Sequence, residues 1–414
     1  MRKLLLSLAL FSGFASAMAE ELIYNDKLCF DIVGEDTANP GAMLVELKGS
    51  TESRVINLNV PLSFEVDGVK YFVSSVAPEA FAGKRLSTLW FSGICTSKFV
   101  FKENCFKGAR CNSFIMPSFF AMGDVEVVFE TGSFANLRVS NPMESMTFTA
   151  TSTQIMEGAF TGMDCPAVSF NGEATIAGGA FGESVTSVEF SAPVRTECEG
   201  DAKVFPGLKT LVLKGPNKTP LSLHKLTALT DFESNTVDIT VSNLFVVPDA
   251  GNESGNAFNS TVRVPAFMVD AYKNAPVWKR FNIVADSSVD YPLDETGKYY
   301  LGLNPGGKAN IVGYKGTPEA DLEIPAVFRA DGADYGIYQI HAGPFTGCTS
   351  ITSLSLPAGV YVCADAFAGC TSLRSLKVDN VSLDGNSFNG APVSEIDIKV
   401  GVTSFASRSC SKAP

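Results

Sequence analysis

Histidine is almost missing from these 414 residues, with 2 in the whole chain, and tryptophan is equally scarce at 2. His224 and His341 share no paired spacing, so histidine-based metal sites and Ser-His or Cys-His nucleophile systems have nothing to build on. No C-x-x-C pair occurs among the 10 cysteines, which argues against a redox or zinc site. Neither G-x-S-x-G nor H-E-x-x-H is present. Basic residues number 32 against 44 acidic, a net charge of −12, and an acidic surface repels phosphate backbones. Nucleic acid is therefore a poor partner. Past the first twenty residues no apolar run is long enough to span a bilayer as a helix. These absences set the expectation of no catalytic residues, no cofactor, no metal and no transmembrane span.

One apparent exception is Gly302-Leu303-Asn304-Pro305-Gly306-Gly307-Lys308, which fits G-x-x-x-x-G-K. Ala309 follows where a phosphate loop needs Ser or Thr for magnesium, and the flanks read as strands where a helix should open. Asn-Pro-Gly-Gly is better read as a hairpin turn.

What is present begins with Arg2 and Lys3, an apolar run from Leu4 to Phe14, and Ala17-Met18-Ala19. That order predicts a signal peptide over residues 1–19 and an exported protein, placed at the cell surface, in the periplasm or outside the cell. The remaining length is enough for two or more domains.

Phenylalanine is abundant at 31 and regularly placed. A small-Phe-x-Gly phrase falls at Phe81, Phe106, Phe160, Phe205, Phe345, Phe367 and Phe388, with looser copies at Phe134, Phe181 and Phe405. Successive intervals are 25, 28, 26, 21 and 24 in the first run, then 22, 21 and 17. After each Phe comes an apolar pattern h-x-x-h-x-h, as in Leu86-Leu89-Phe91, Val185-Val188-Phe190, Leu354-Leu356 after Ile351, and Leu376-Val378 after Leu373. Its last residues alternate with polar ones, the period of a half-buried strand. A repeat of 20–29 residues lies in the leucine-rich-repeat range. No single unit can cover its own apolar side, but stacked copies bury Leu on Leu and Phe on Phe. The predicted fold is mainly β, a leucine-rich-repeat solenoid of short parallel strands.

The phrase A-F-x-G-C-x-S-L-x-S-L-x-h-P resembles the BspA-like leucine-rich-repeat family of bacterial cell-surface proteins, closely at 345–398 and more loosely at 81–213. The resemblance implies adhesion to host matrix proteins or to other cells.

Residues 58–83 lie over 322–347 at a constant offset of 264, with Pro61/Pro325, Phe64/Phe328, Asp67/Asp331, Gly68/Gly332, Tyr71/Tyr335 and Phe81/Phe345 coinciding. Each segment reads as a hairpin with an Asp-Gly turn leading into a first coil. The expected organisation is a first block over 20–285 and a second over 286–414, each opened by a β cap. Residues 262–284 close the first block as a strand, a helix over Ala266–Ala275 and a second strand, with Trp278 and Phe281 covering the edge. The second block shows no comparable closure, so its C-terminal edge is expected to remain partly open and to permit self-association.

Ten cysteines in an exported chain invite disulfides, yet Cys348 and Cys370 hold the same place in consecutive repeats, which fits stacked free thiols. Both readings stay open, with Cys95, Cys105 and Cys111 the best placed to bridge.

With chemistry lacking, the outward side chains of the strands become the candidate binding face: Thr88 and Trp90, Ser187 and Glu189, Ser353 and Ser355, Ser375 and Lys377. An outward Trp is a frequent interface anchor. The function these features suggest is binding of a macromolecular partner, a protein or a glycan at a host or neighbouring cell surface. In the protein reading the molecule is adhesion-like; in the other it is a glycan-binding module of a polysaccharide-handling complex.

Overall fold

The computed structural model describes residues 21–52, 56–93, 95–115, 125–214, 222–226, 236–242, 245–250 and 259–398. The predicted signal peptide and residues 402–414 lie outside them. Contacts divide the chain into two compact units, Met1–Pro142 with Ala150–Met163, and Met143–Thr149 with Asp164–Pro414. The division falls elsewhere than the 285/286 boundary expected between blocks. The block organisation therefore remains a proposal about how the sequence was copied.

In the first unit, antiparallel strands Glu21–Tyr24, Leu28–Glu35 and Ala42–Ser50 form the opening cap. Ala42–Ser50 then pairs in parallel with Val69–Val76, the return arm of a hairpin whose other arm is Ser63–Val66. Asp67 and Gly68 turn that hairpin at φ 50° and 78°, the left-handed conformation that a two-residue hairpin turn requires. Lys98–Phe101, Glu126–Phe129 and Ser152–Ile155 extend the sheet in parallel. A second parallel sheet runs Arg138–Val139, Arg110–Phe114, Arg85–Ser92, Ile56–Pro61. Each coil thus gives a strand to both sheets, and the phenylalanines fill the space between them.

The second unit repeats the scheme. Its longest sheet is all parallel and runs Ser145–Phe148, Ala167–Phe170, Ser187–Phe190, Thr210–Leu213, Asp238–Val241, Thr261–Val264, Asn282–Ala285. Across the coils, Glu173–Ala177 pairs in parallel with Val194–Glu197. Between its last two strands lies the expected closing segment, as a 3-10 turn (Ala266–Met268), a short α-helix (Val269–Asn274) and a second 3-10 turn (Trp278–Arg280). Tyr272 and Trp278 are buried there, and the indole Nε1 donates to the Pro248 carbonyl at 2.7 Å. Further along, hairpins Tyr299–Asn304/Lys308–Tyr314 and Val327–Ala330/Ala333–Ile340 precede the last coils. Asp331 and Gly332 take φ 51° and 77°, matching Asp67 and Gly68 across the offset. The last coils supply Asp321–Glu323, Ser353–Leu356, Ser375–Val378 and Glu395–Ile398 to one parallel sheet. Ala333–Ile340, Tyr361–Val362 and Ser382–Leu383 pair in parallel in the other.

The core has the predicted register. Phe81, Phe106, Phe134 and Phe160 are buried and stack in one column, with ring centroids 5.3, 5.0 and 5.4 Å apart. Phe345, Phe367 and Phe388 form another at 5.2 and 5.3 Å, the rings parallel within 2° and 9°.

Candidate functional site

Gly302–Lys308 is the tip of a hairpin: Asn304 faces Lys308, and Gly306 and Gly307 turn the chain at φ 84° and 70°. No helix opens there. Among the described residues, no group of three or more His, Cys, Asp or Glu is placed to hold a metal ion. His341 is half-buried against the Phe245 ring at 5.2 Å, and burial lowers its pKa below the ordinary imidazole value. The nine described cysteines are free thiols, including Cys95, Cys105 and Cys111. Burial pushes Cys95, Cys111 and Cys370 up to about 11, so these thiols stay protonated near neutral pH and are poor nucleophiles. Cys370 instead donates to the Phe345 carbonyl at 3.1 Å, tying one coil to the one before it.

A cleft of about 300 Å³ lies in the second unit, lined mainly by Phe245, Phe267, Met268, Val312, Tyr314 and Pro344. Its exposed wall mixes apolar side chains with backbone and Thr346 polar atoms, and the Tyr314 hydroxyl donates to Glu319 Oε2 at 2.8 Å.

The candidate face residues fall on three sheets. Thr88 and Trp90 sit on Arg85–Ser92 of the first unit. Trp90 is 44% exposed, and the Thr88 hydroxyl donates to Asn57 Oδ1. Ser187 and Glu189 are half-buried on the longest sheet of the second unit, and Glu189 Oε1 accepts from Lys214 Nζ at 2.7 Å. Ser353, Ser355, Ser375 and Lys377 share one face of the last sheet, with Ser353 opposite Ser375 and Ser355 opposite Lys377. Ser353 Oγ donates to Asp321 Oδ1 at 2.7 Å. The outward columns of that sheet are Asp321-Ser353-Ser375-Glu395 and Glu323-Ser355-Lys377-Asp397, a face with four carboxylates and one ammonium.

The first-unit sheet is chemically its opposite, and the outward-residue reading missed most of it. Arg85, Arg110 and Arg138 are exposed and lie side by side in register on three successive coils. The sequence carried the signal: each arginine stands four residues after a stacked phenylalanine, Phe81, Phe106 and Phe134. Asn57, Asn59 and Asn112 are exposed on the same strands, while Ile115, just beyond the third, is 53% exposed.

Residues 335–413 match the model described as a BspA type leucine rich repeat region, in 6 copies. No curated protein matches the chain. Among solved structures it is similar to a leucine rich cell surface protein from Faecalibacterium prausnitzii A2-165, at 15% identity, covering 94% of this chain and 97% of that one, with a TM-score of 0.29. A leucine-rich repeat protein from Bacteroides ovatus ATCC 8483 gives 14% identity, 93% and 99% coverage and a TM-score of 0.23. The pneumococcal vaccine antigen PcpA gives 10%, 92% and 82%, and 0.20. Residues 335–413 thus carry repeats of the BspA type, and the parallel coils and phenylalanine columns give the chain the architecture of a leucine-rich-repeat solenoid.

Proposed function

We propose that this is an exported, non-enzymatic surface protein that binds a macromolecular partner through the outward faces of its stacked coils. The observation that supports this best is the in-register columns of outward side chains, row upon row, on parallel sheets. Parallel rows of outward side chains suit an extended partner, whereas catalysis needs convergent groups at a concave site. Among the described residues no helix is long and apolar enough to cross a membrane.

The test is retention of matrix proteins, whole cells and glycans on the immobilised chain lacking residues 1–19. At least one macromolecular partner should be retained. Trp90→Ala or Lys377→Glu should weaken retention without changing the circular dichroism spectrum. Turnover of a polymer, abolished by a single carboxylate substitution, would replace the binding reading with an enzymatic one.

A second reading has its own observation. In the last described strand, Ile396 and Ile398 are 44% and 48% exposed, although their in-register neighbours Leu376 and Val378 are buried. We infer that this strand offers a surface for self-association.

A further inference from the structure

We propose that the outward face of the first unit's Arg138–Val139, Arg110–Phe114, Arg85–Ser92, Ile56–Pro61 sheet binds an acidic polysaccharide, one bearing carboxylates or sulfates on its successive sugars. This rests on the reading that outward faces of the coils take a macromolecular partner, and it names the partner of one face.

The arginine ladder carries the argument. Arg85 pairs in register with Arg110, and Arg110 with Arg138. Strands in such a sheet lie ~4.8 Å apart, so the three guanidinium groups stand in a line of like charge. Like charges so close repel one another, and a polyanion relieves that repulsion. No side-chain hydrogen bond or ion pair among the described residues engages any of the three. None of the four strands contains an Asp or Glu, although the chain holds 44 of them. Glu52, which accepts from the Asn57 amide at 3.3 Å, is paired with Lys27 Nζ at 3.2 Å. A basic strip free of carboxylates, on a chain of net charge −12, is a local reversal of the molecule's field. Guanidinium groups grip planar carboxylates and sulfates by paired N–H donors.

The rest of the face separates a glycan from other polyanions. Asn57, Asn59 and Asn112 offer carboxamide N–H donors, Ser113 a hydroxyl that donates and accepts, and Thr88, whose proton goes to Asn57 Oδ1, can still accept, a set suited to sugar hydroxyls. Trp90, about 16 Å along its strand from Arg85, presents an exposed ring on which the C–H face of a sugar can lie. A protein partner would look for an apolar centre, and among the described residues of this sheet and its strand ends only Trp90 and Ile115 are exposed large apolar groups. Duplex nucleic acid presents a phosphate every ~1.7 Å and no row of free sugar hydroxyls for the carboxamides of this face to bond.

The experiment uses the full chain lacking residues 1–19, with polygalacturonate as the carboxylated probe, heparin as the sulfated one, and dextran, polyglutamate and duplex DNA as comparisons. At least one acidic glycan should bind, dextran should not, and binding should weaken as salt is raised. The R85Q/R110Q/R138Q variant should bind roughly tenfold more weakly, the combined effect of three exposed ion pairs. The R85K/R110K/R138K variant keeps the charge and should retain most of the affinity. Trp90→Ala should weaken glycan binding while leaving its salt dependence in place. The proposal is overturned if neither glycan binds, if the glutamine variant binds as the parent does, or if polyglutamate or DNA binds more tightly. Retention of another partner by parent and glutamine variant alike would overturn this proposal alone. Failure of every macromolecule to bind would overturn the broader reading as well.

Discussion

Phe345, Phe367 and Phe388 lie nearly parallel at 5.2 and 5.3 Å, and Phe367, the middle ring, is fully buried with a partner on each side. Truncating it opens a void that neighbours on both sides hold rigidly, because each belongs to a hydrogen-bonded coil. Phe367→Ala should therefore cost ~3–5 kcal/mol, as buried Phe truncations do. Chemical denaturation would measure it, and a loss below ~1 kcal/mol would mean that the column collapses to fill the gap. These residues were legible in the sequence because every copy meets the same demand: a large apolar wedge at one phase of the repeat. Arg85, Arg110 and Arg138 follow the same phase, but their register becomes visible only when strands 25 and 28 residues apart are laid side by side. Trp90 was legible as an outward residue, and its exposure at 44% agrees. That it shares a face with an arginine ladder was not.

At the scale of elements, sequence was most informative where backbone geometry leaves little choice. Asp67-Gly68 and Asp331-Gly332 both turn hairpins with positive φ, as the Asp-Gly pairs required. The closing segment was less legible. Ala266–Ala275 reads as one helix, but the chain makes a 3-10 turn over Ala266–Met268 and only six α-helical residues, Val269–Asn274. Neither piece has a side-chain cap, so tertiary burial of Met268, Tyr272 and Trp278 decides the conformation over local propensity. The second strand of each late coil shrinks to two residues, Tyr361–Val362 and Ser382–Leu383, too short to leave a period in the sequence. A glycine supplies the testable case. Gly343 sits at φ 120°, and a Cβ there would lie 2.0 Å from the Phe245 carbonyl oxygen. Backbone faces backbone, so no side-chain rotation can relieve the clash. Gly343→Ala should destabilise the second unit by at least ~1–3 kcal/mol, through strain and displacement of the 245–248 segment. The thermal midpoint checks it, and an unchanged midpoint would show that the segment shifts freely.

At the scale of the molecule, copying and compactness mark different boundaries. The offset of 264 records which segments resemble each other, whereas contacts group residues 164–285 with 286–414 and set 150–163 beside 1–142. Solenoid coils bury one another whatever their origin, so a duplicated segment need not be a separate compact body. The same logic governs the last strand. Leu354 and Leu356, then Leu376 and Val378, are buried because a further coil follows each pair in register. Ile396 and Ile398 occupy the equivalent positions on Glu395–Ile398 and remain 44% and 48% exposed. Both side chains are already about half covered, so complete burial adds roughly half of the ~1.5–3 kcal/mol of a fully exposed one each, and the far edge of the strand, unpaired among the described residues, adds its backbone groups to the attraction. Self-association through this strand should therefore be weak, concentration-dependent and sensitive to these two residues. Light scattering across a concentration series should show mass rising in the parent chain and staying at the monomer value in I396S/I398S. A parent chain that is monomeric throughout, or a double variant that associates as strongly as the parent, would show that this strand does not recruit a second copy.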